Sequence, residues 1–197
     1  MLFRSEHMSY HTLTPLIHFF ESIGMKVLNF DLVEAQGGSI RVYVGHEKKY
    51  DYNKKIINQI KLEEKIGLFD EKLFKKFHNR IINQKKVIRK FILNNIKNKN
   101  KVLVGYGAPA KATTFSYVFN LGNEFIKFIV DDNFLKQNKY TPGKKIKIFS
   151  FNCLKKINFD YIIILAWNFA PSIIKKLRRE IKGSFKIIIP FPKLLVK

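Results

Sequence analysis

The sequence predicts an α/β fold whose closing segment, Lys101–Lys197, forms a mostly parallel sheet covered on both faces. Three observations lead there. Apolar, strand-like runs at 102–104, 125–130, 146–149, 161–165 and 185–189 alternate with helix-like stretches. The strongest run, Tyr161-Ile162-Ile163-Ile164-Leu165, is continuously apolar, as a strand buried on both faces must be. The polar and glycine-rich motifs of the segment fall mostly at the carboxyl ends of these runs, where sheets of this class hold their ligands.

The first segment, 1–50, reads as helix, strand, turn, strand. Thr14 before Pro15 is a helix start, with Thr as N-cap and Pro in the first turn. Leu16, Ile17, Phe19, Phe20 and Ile23 supply one apolar face, and Gly24 ends the helix. A strand-like run from Met25 to Glu34 meets the turn signal Ala35-Gln36-Gly37-Gly38, and Ile40–Val44 follows as a second strand. The turn permits an antiparallel pair. One helix and two strands leave a sheet face and two edges uncovered, so either later residues or residues outside this chain are expected to pack there.

The second segment, 51–99, is a helical connector. Ile56, Ile57, Ile60 and Leu62 recur at helical spacing, Gly67-Leu68-Phe69-Asp70 breaks the pattern, and Leu73, Phe77, Ile81, Ile88, Ile92 and Ile96 mark one face of a long helix. Lys75, Lys76, Lys86 and Lys90 lie away from that face. They read as a wet surface, with nucleic acid or an acidic membrane as the functional alternatives. Phe74, Phe77 and Phe91 lie among the lysines, as single-strand binding requires, but on or beside the apolar face, where core packing uses them.

The third segment, 100–197, carries the alternating strands and helices. Its helix-like stretches run from Ala110 to about Asn120 and from Pro171 to Ile181, and the chain closes on Pro190-Phe191-Pro192.

Composition bounds the function. Hydrophobic residues make up 46% and aromatics 14% of 197 residues, which excludes a disordered chain. The longest apolar stretch, Tyr161–Ala170, is about half of what a membrane-spanning helix needs, and no secretory signal is visible, so no membrane partner is expected. Cys153 is the single cysteine, which excludes an internal disulfide and a cysteine-cluster zinc site and points to the reducing cytoplasm. The net charge of +22 comes from 31 Lys and six Arg against 15 acidic residues. Specific nucleic-acid readers favour the planar fork of Arg. Lys here rises together with Ile and Asn, as under codon drift, so a solvated basic surface and no specific nucleic acid are expected. An acidic small ligand such as a nucleotide diphosphate suits the same charge.

Three groups of residues can carry chemistry. Gly105-Tyr106-Gly107-Ala108-Pro109-Ala110-Lys111 follows a strand and opens a helix. Gly-x-Gly permits a tight turn and a close backbone approach, and the helix amino end can receive a diphosphate with Lys111 as counter-charge. The third glycine of a dinucleotide fingerprint is absent, so a tight turn with an empty mouth stands as the alternative. Asp131-Asp132-Asn133 closes the next strand; it can accept sugar or ribose hydroxyls, or serve as cap and turn. A metal site there would lack a third carboxylate, and no metal is expected. Glu6-His7 pairs a carboxylate with a residue whose ordinary pKa of about 6.5 suits a general base, although adjacent side chains point different ways and a histidine near a chain end is often inert.

Taken together, Gly105–Lys111, Val130-Asp131-Asp132-Asn133, Lys136–Gly143 with its Tyr140-Thr141-Pro142, Ile164-Leu165-Ala166-Trp167-Asn168-Phe169 and Ile189-Pro190-Phe191-Pro192 resemble the carboxy-terminal domain of the sugar C-methyltransferases. Ser5–Tyr10 and Gly37–Tyr43 resemble the end of that family's methyltransferase domain. The resemblance implies a Rossmann-like closing domain, preceded by the tail end of a class I methyltransferase fold and the helical connector. It implies action on a nucleotide-linked deoxy-keto sugar with S-adenosylmethionine, whose site lies mostly upstream, together with zinc in an amino-terminal domain this chain does not carry. It makes His7, beside Glu6, the base that removes a proton next to a ketone, after which the enolate attacks the methyl sulfonium. It turns Gly105, Tyr106, Gly107, Ala108, Lys111, Asp132, Asn133, Tyr140, Thr141 and Pro142 toward the substrate. Family members commonly have Tyr two positions before the Glu, where this chain has Arg4; either the site is altered or Met1 to Arg4 is a misplaced start. The chain is expected to be inactive alone, with the missing methyltransferase portion as its partner. The alternative is a stand-alone nucleotide-sugar-binding module or half of a split enzyme.

Overall fold

The computed structural model describes residues 9–34, 38–46 and 51–197. Glu6 and His7 lie outside them. The described residues form two compact units, one ending at Asn79 and one comprising Arg80–Lys197.

The smaller unit holds α1 (Leu13–Ser22), β1 (Lys26–Val33), β2 (Ser39–Gly45) and α2 (Lys54–Lys65). β1 and β2 pair antiparallel, with Val42 opposite Phe30 and Ile40 opposite Leu32, and the register shifts by a bulge at Leu28. Leu13 and Ile17 of α1, Val27 and Phe30 of β1 and Ile56 of α2 form its core. Later residues of the chain, those of α2, therefore cover the sheet face that the first segment cannot cover.

Helix α1 starts at Leu13, two residues before the expected start after Thr14, and no threonine side chain caps it. The cap comes from α2. The buried carboxylate of Glu63 accepts the Leu13 and Thr14 amides, each at 2.9 Å, and Gln59 Nε2 donates to it at 3.1 Å. Pro15 is accommodated because the first-turn amides have no intrahelical partner to lose. Burial pushes the Glu63 pKa up, but the donors on Thr14, Gln59 and Leu13 outweigh it and hold the carboxyl below its ordinary value.

Helix α3 (Glu71–Asn95) begins where the break at 67–70 ends. Burial is confined to its last turns: Ile88, Ile92 and the following Ile96 are buried, whereas Phe74 and Phe77 are exposed. No helix among the described residues is long and apolar enough to cross a membrane.

The larger unit contains β3 (Leu103–Tyr106), α4 (Ala110–Phe119), β4 (Ile129–Val130), β5 (Ile148–Phe149), β6 (Tyr161–Ile164), α5 (Ala170–Glu180), β7 (Lys186–Ile189) and β8 (Leu195–Val196). The sheet order is β5-β4-β3-β6-β7-β8. All neighbours are parallel except β8 on β7. The strands step outward one way from β3 and then the other way from β6, which is the doubly wound, Rossmann-like order with its switch point between β3 and β6. Two apolar layers flank the sheet. One joins the end of α3 to α4 around Ile92, Phe115 and Ile163; the other joins α5 and the 151–156 turn around Val104, Leu154 and Leu177.

The structure departs from the sequence reading in three places. Only Ile129–Val130 of the 125–130 run is a strand, yet the backbone keeps pairing upstream, Gly105 N–H to Phe128 O at 2.8 Å and Lys127 N–H to Leu103 O at 2.9 Å. The connection from β5 to β6 is a 3-10 turn, Phe151–Lys156, in a stretch to which the sequence reading assigns no element. β8, formed after Pro190 and Pro192 have bent the chain back, has no counterpart in the sequence reading.

Candidate functional site

The carboxyl ends of β3 and β6 meet at the switch point. β3 is buried throughout, so its last residue delivers the Gly107 turn at a fixed place. Gly107 has φ +86°, and a Cβ there would lie 2.7 Å from the Ala166 Cβ in the loop after β6. Only glycine fits that conformation and that approach. Gly105 serves the sheet itself. A Cβ there would meet Ile129 at 2.8 Å and Leu165 at 3.3 Å, so its absence lets neighbouring strands close up.

The loop after β4 braces this turn. Gly107 N–H donates to Val130 O at 2.7 Å, Ala108 N–H to Asp131 Oδ2 at 2.6 Å, and Lys136 Nζ to Ala108 O at 2.9 Å. Asp131 Oδ1 also accepts the Asn133 amide at 2.8 Å, and Asn133 Oδ1 accepts the Leu135 amide at 3.0 Å. Both side chains thus act as turn-makers. Asp132 is held on the opposite side of the loop. Tyr106 Oη donates to its Oδ2 at 2.8 Å and Lys176 of α5 pairs with its Oδ1 at 2.8 Å. Burial and the Asp132 carboxylate push the Tyr106 phenol far above its ordinary value, so it acts as a donor throughout the neutral range.

What the mouth leaves open is positive. Helix α4 starts after Pro109 without a side-chain cap; its Ala112 amide donates to Pro109 O at 2.9 Å, which leaves the Ala110 and Lys111 amides without an intrahelical acceptor. Lys111, in the first turn, carries its Nζ 4.6 Å from the centre of the Trp167 ring. Trp167 follows β6 and packs at a tilt against Phe191, with ring centres 5.0 Å apart, and against Phe115 at 6.1 Å. Burial lowers the Lys111 pKa, and among the described residues no carboxylate pairs with it. A partly desolvated ammonium beside uncapped amides attracts an anion such as a phosphate or diphosphate.

The structure therefore brings Gly105, Tyr106, Gly107, Ala108, Lys111, Asp132 and Asn133 to one end of the sheet. It does not bring Tyr140, Thr141 and Pro142 there. Tyr140 bridges to Lys147 ahead of β5, Thr141 is buried and its Oγ1 accepts the Ile146 amide at 3.0 Å, and Pro142 leads into Gly143. Gly143 (φ +67°) packs against the Tyr117 ring in the last turns of α4. That hairpin belongs to the amino-terminal edge of the strands. Trp167, Lys136 and Lys176 were not singled out from the sequence as site residues. Trp167 had a legible signal, as the chain's single tryptophan placed just after the most apolar strand. Lys136 opens the Lys136–Gly143 motif, but nothing in the sequence marks its contact with Ala108, and nothing separates Lys176 from the other lysines.

Neither acid at the end of β4 stands free for a cofactor ribose. Such a ribose would need a free carboxylate there, and Asp131 and Asp132 are both engaged, one by the glycine turn and the other by Tyr106 and Lys176. Among the described residues no group of three or more His, Cys, Asp or Glu could hold a metal.

A family model described as the C-methyltransferase C-terminal domain matches residues 34–192. The C-methyltransferase NovU of Streptomyces niveus is 30% identical over 188 residues, which take in 95% of this chain and 44% of NovU. The chain thus spans less than half the length of that relative.

Proposed function

The chain belongs to the C-methyltransferase C-terminal domain family, and from that premise we propose that it supplies the substrate side of an S-adenosylmethionine-dependent C-methyltransferase acting on a nucleotide-linked deoxy-keto sugar. The observation that carries this reading is the switch-point mouth: uncapped α4 amides and a Lys111 without a carboxylate partner suit the diphosphate of such a substrate, while both acids that could take a cofactor ribose are occupied. Tyr106, Asp132 and Lys176 keep the turn rigid, so the anion meets donors already in position.

In this reading S-adenosylmethionine supplies the methyl group and is bound outside this mouth. His7, with Glu6 beside it, takes the proton next to the sugar ketone. The smaller unit is the closing part of the methyltransferase domain, and zinc belongs to a further domain. The 197 residues alone transfer no methyl group; product formed by the purified chain from S-adenosylmethionine and a nucleotide-linked keto sugar would overturn this. Because the mouth lies wholly within Arg80–Lys197, the chain binds a nucleotide-sugar without a second polypeptide, as half of a split enzyme would. Replacing Lys111→Ala weakens nucleotide-sugar binding about tenfold, the loss of one charge-assisted contact; unchanged affinity in a titration removes Lys111 from the site.

A further inference from the structure

The closing Pro190-Phe191-Pro192 motif lies in the loop between β7 and β8, and that loop is pinned. Ile189 pairs with Leu195 across the two strands, and the Pro190 carbonyl accepts Gln84 Nε2 of α3 at 2.7 Å. The partly buried Phe191 is thereby delivered to a fixed place against α4. Its ring meets Phe119 edge-on at 5.5 Å, Phe115 edge-on at 6.1 Å and Trp167 at 5.0 Å with a 49° tilt. The same Trp167 ring carries the Lys111 ammonium 4.6 Å from its centre. Lys111 and Phe115 stand four residues apart on α4, so they share one stripe of that helix, and Trp167 lies against both. Trp167 itself opens a single 3-10 turn, Trp167–Phe169. So short a turn does not set the direction of an indole; packing does. Phe115 bounds the ring from α4, and Phe191 bounds it from the tail of the chain. Without Phe191 the indole gains a gap to tilt into, and the ammonium loses the ring it rests on.

We propose that Phe191 is a positioning residue for the switch-point mouth: it fixes the Trp167 indole, which in turn holds the Lys111 ammonium at the start of α4, where the diphosphate of the substrate is received. This rests on the reading of the mouth as a diphosphate site. Phe191 touches no ligand and acts through two other side chains. The cation on the ring is worth more here than on an open surface, because burial has already stripped part of its water and lowered its pKa. Phe191 also packs against Phe115 and Phe119, so plain core filling is the competing role. The two roles part at Lys111: core filling acts on the stability of the chain, whereas positioning acts on the ammonium.

The test is a calorimetric titration of inorganic pyrophosphate into the 197-residue chain as parent, Phe191→Leu, Lys111→Ala and the double variant. Phe191→Leu weakens pyrophosphate about three- to fivefold, the order of one cation–π contact, and Phe191→Tyr, which keeps the ring, binds as the parent does. In the Lys111→Ala background Phe191→Leu has no further effect, because the route through the ammonium is already gone. A second readout is the titration of Lys111 itself, followed by NMR of the lysine Cε signals. In Phe191→Leu it moves up toward the ordinary lysine value of about 10.4, the direction that rehydration of the ammonium dictates. Should the leucine variant not fold, Phe191→Met, which fills the gap with an unbranched apolar chain, takes its place. Unchanged affinity in Phe191→Leu, the same loss in both backgrounds, or a Lys111 titration that stays where it is in the parent overturns the proposal. If Lys111→Ala leaves pyrophosphate affinity unchanged, the reading of the mouth fails and this proposal with it; if Lys111→Ala weakens binding and Phe191→Leu does not, this proposal alone fails.

Discussion

At the scale of single residues, the mouth depends on positions with no tolerance. Gly107 combines a left-handed backbone with a neighbour 2.7 Å from where a Cβ would go. Gly107→Ala is expected to destabilise the chain by on the order of 1–3 kcal/mol, read by denaturant unfolding, and to weaken nucleotide-sugar binding beyond that of Lys111→Ala; a variant as stable as the parent would contradict the geometry. Asp132 shows what sequence alone cannot resolve. Its place at a strand end is legible and suits hydroxyl recognition, but the Tyr106 and Lys176 side chains that occupy it come from 26 residues before and 44 residues after. Local spacing carries no record of such partners.

At the scale of elements, helix α1 is the instructive case. Thr14-Pro15 is a good local start signal, and the fold overrides it because a carboxylate from α2 reaches the Leu13 and Thr14 amides. Glu63→Ala is expected to cost about 1–3 kcal/mol, as a lost cap that leaves amides without an acceptor. The carboxyl is held below its ordinary value, so its stabilisation is present above that value and is lost as pH falls through the lowered one. The gap in melting temperature between the parent and Glu63→Gln should therefore be full at neutral pH and shrink below about pH 4; a gap independent of pH would show that the charge is not what α1 requires. Apart from β8, the strands of the larger unit were legible because each lies in a short, strongly apolar run broken by at most one lysine. The 3-10 turn after β5 and the two-residue β8 were not, because so short an element has no period to read. The hairpin at Tyr140-Thr141-Pro142 carries a turn signature, but whether a turn sits at the ligand end or the opposite end depends on the direction of the strand beside it.

At the scale of the whole molecule, the charge of +22 and the site are separate matters. Exposed lysines such as Lys75 and Lys76 have Glu71 as the only acid in the first turn of their helix, and one ion pair, Lys75–Glu71 at 2.9 Å, joins them. Such a surface binds duplex DNA weakly and without sequence preference, with affinity falling steeply between about 50 and 200 mM salt as counterion release dictates; a sequence-specific complex surviving physiological salt in a competition assay would contradict this. The order of the sheet matters more than the charge, since it sets Gly107 opposite Ala166 and brings Lys111 over the Trp167 ring. Calorimetric titration of the purified chain, with a nucleotide-linked deoxy-sugar and separately with S-adenosylmethionine, tests that account most directly. Saturable binding of the nucleotide-sugar, lost in Lys111→Ala, with no heat from S-adenosylmethionine is the predicted result; S-adenosylmethionine binding at the mouth, or no nucleotide-sugar binding at all, would contradict it.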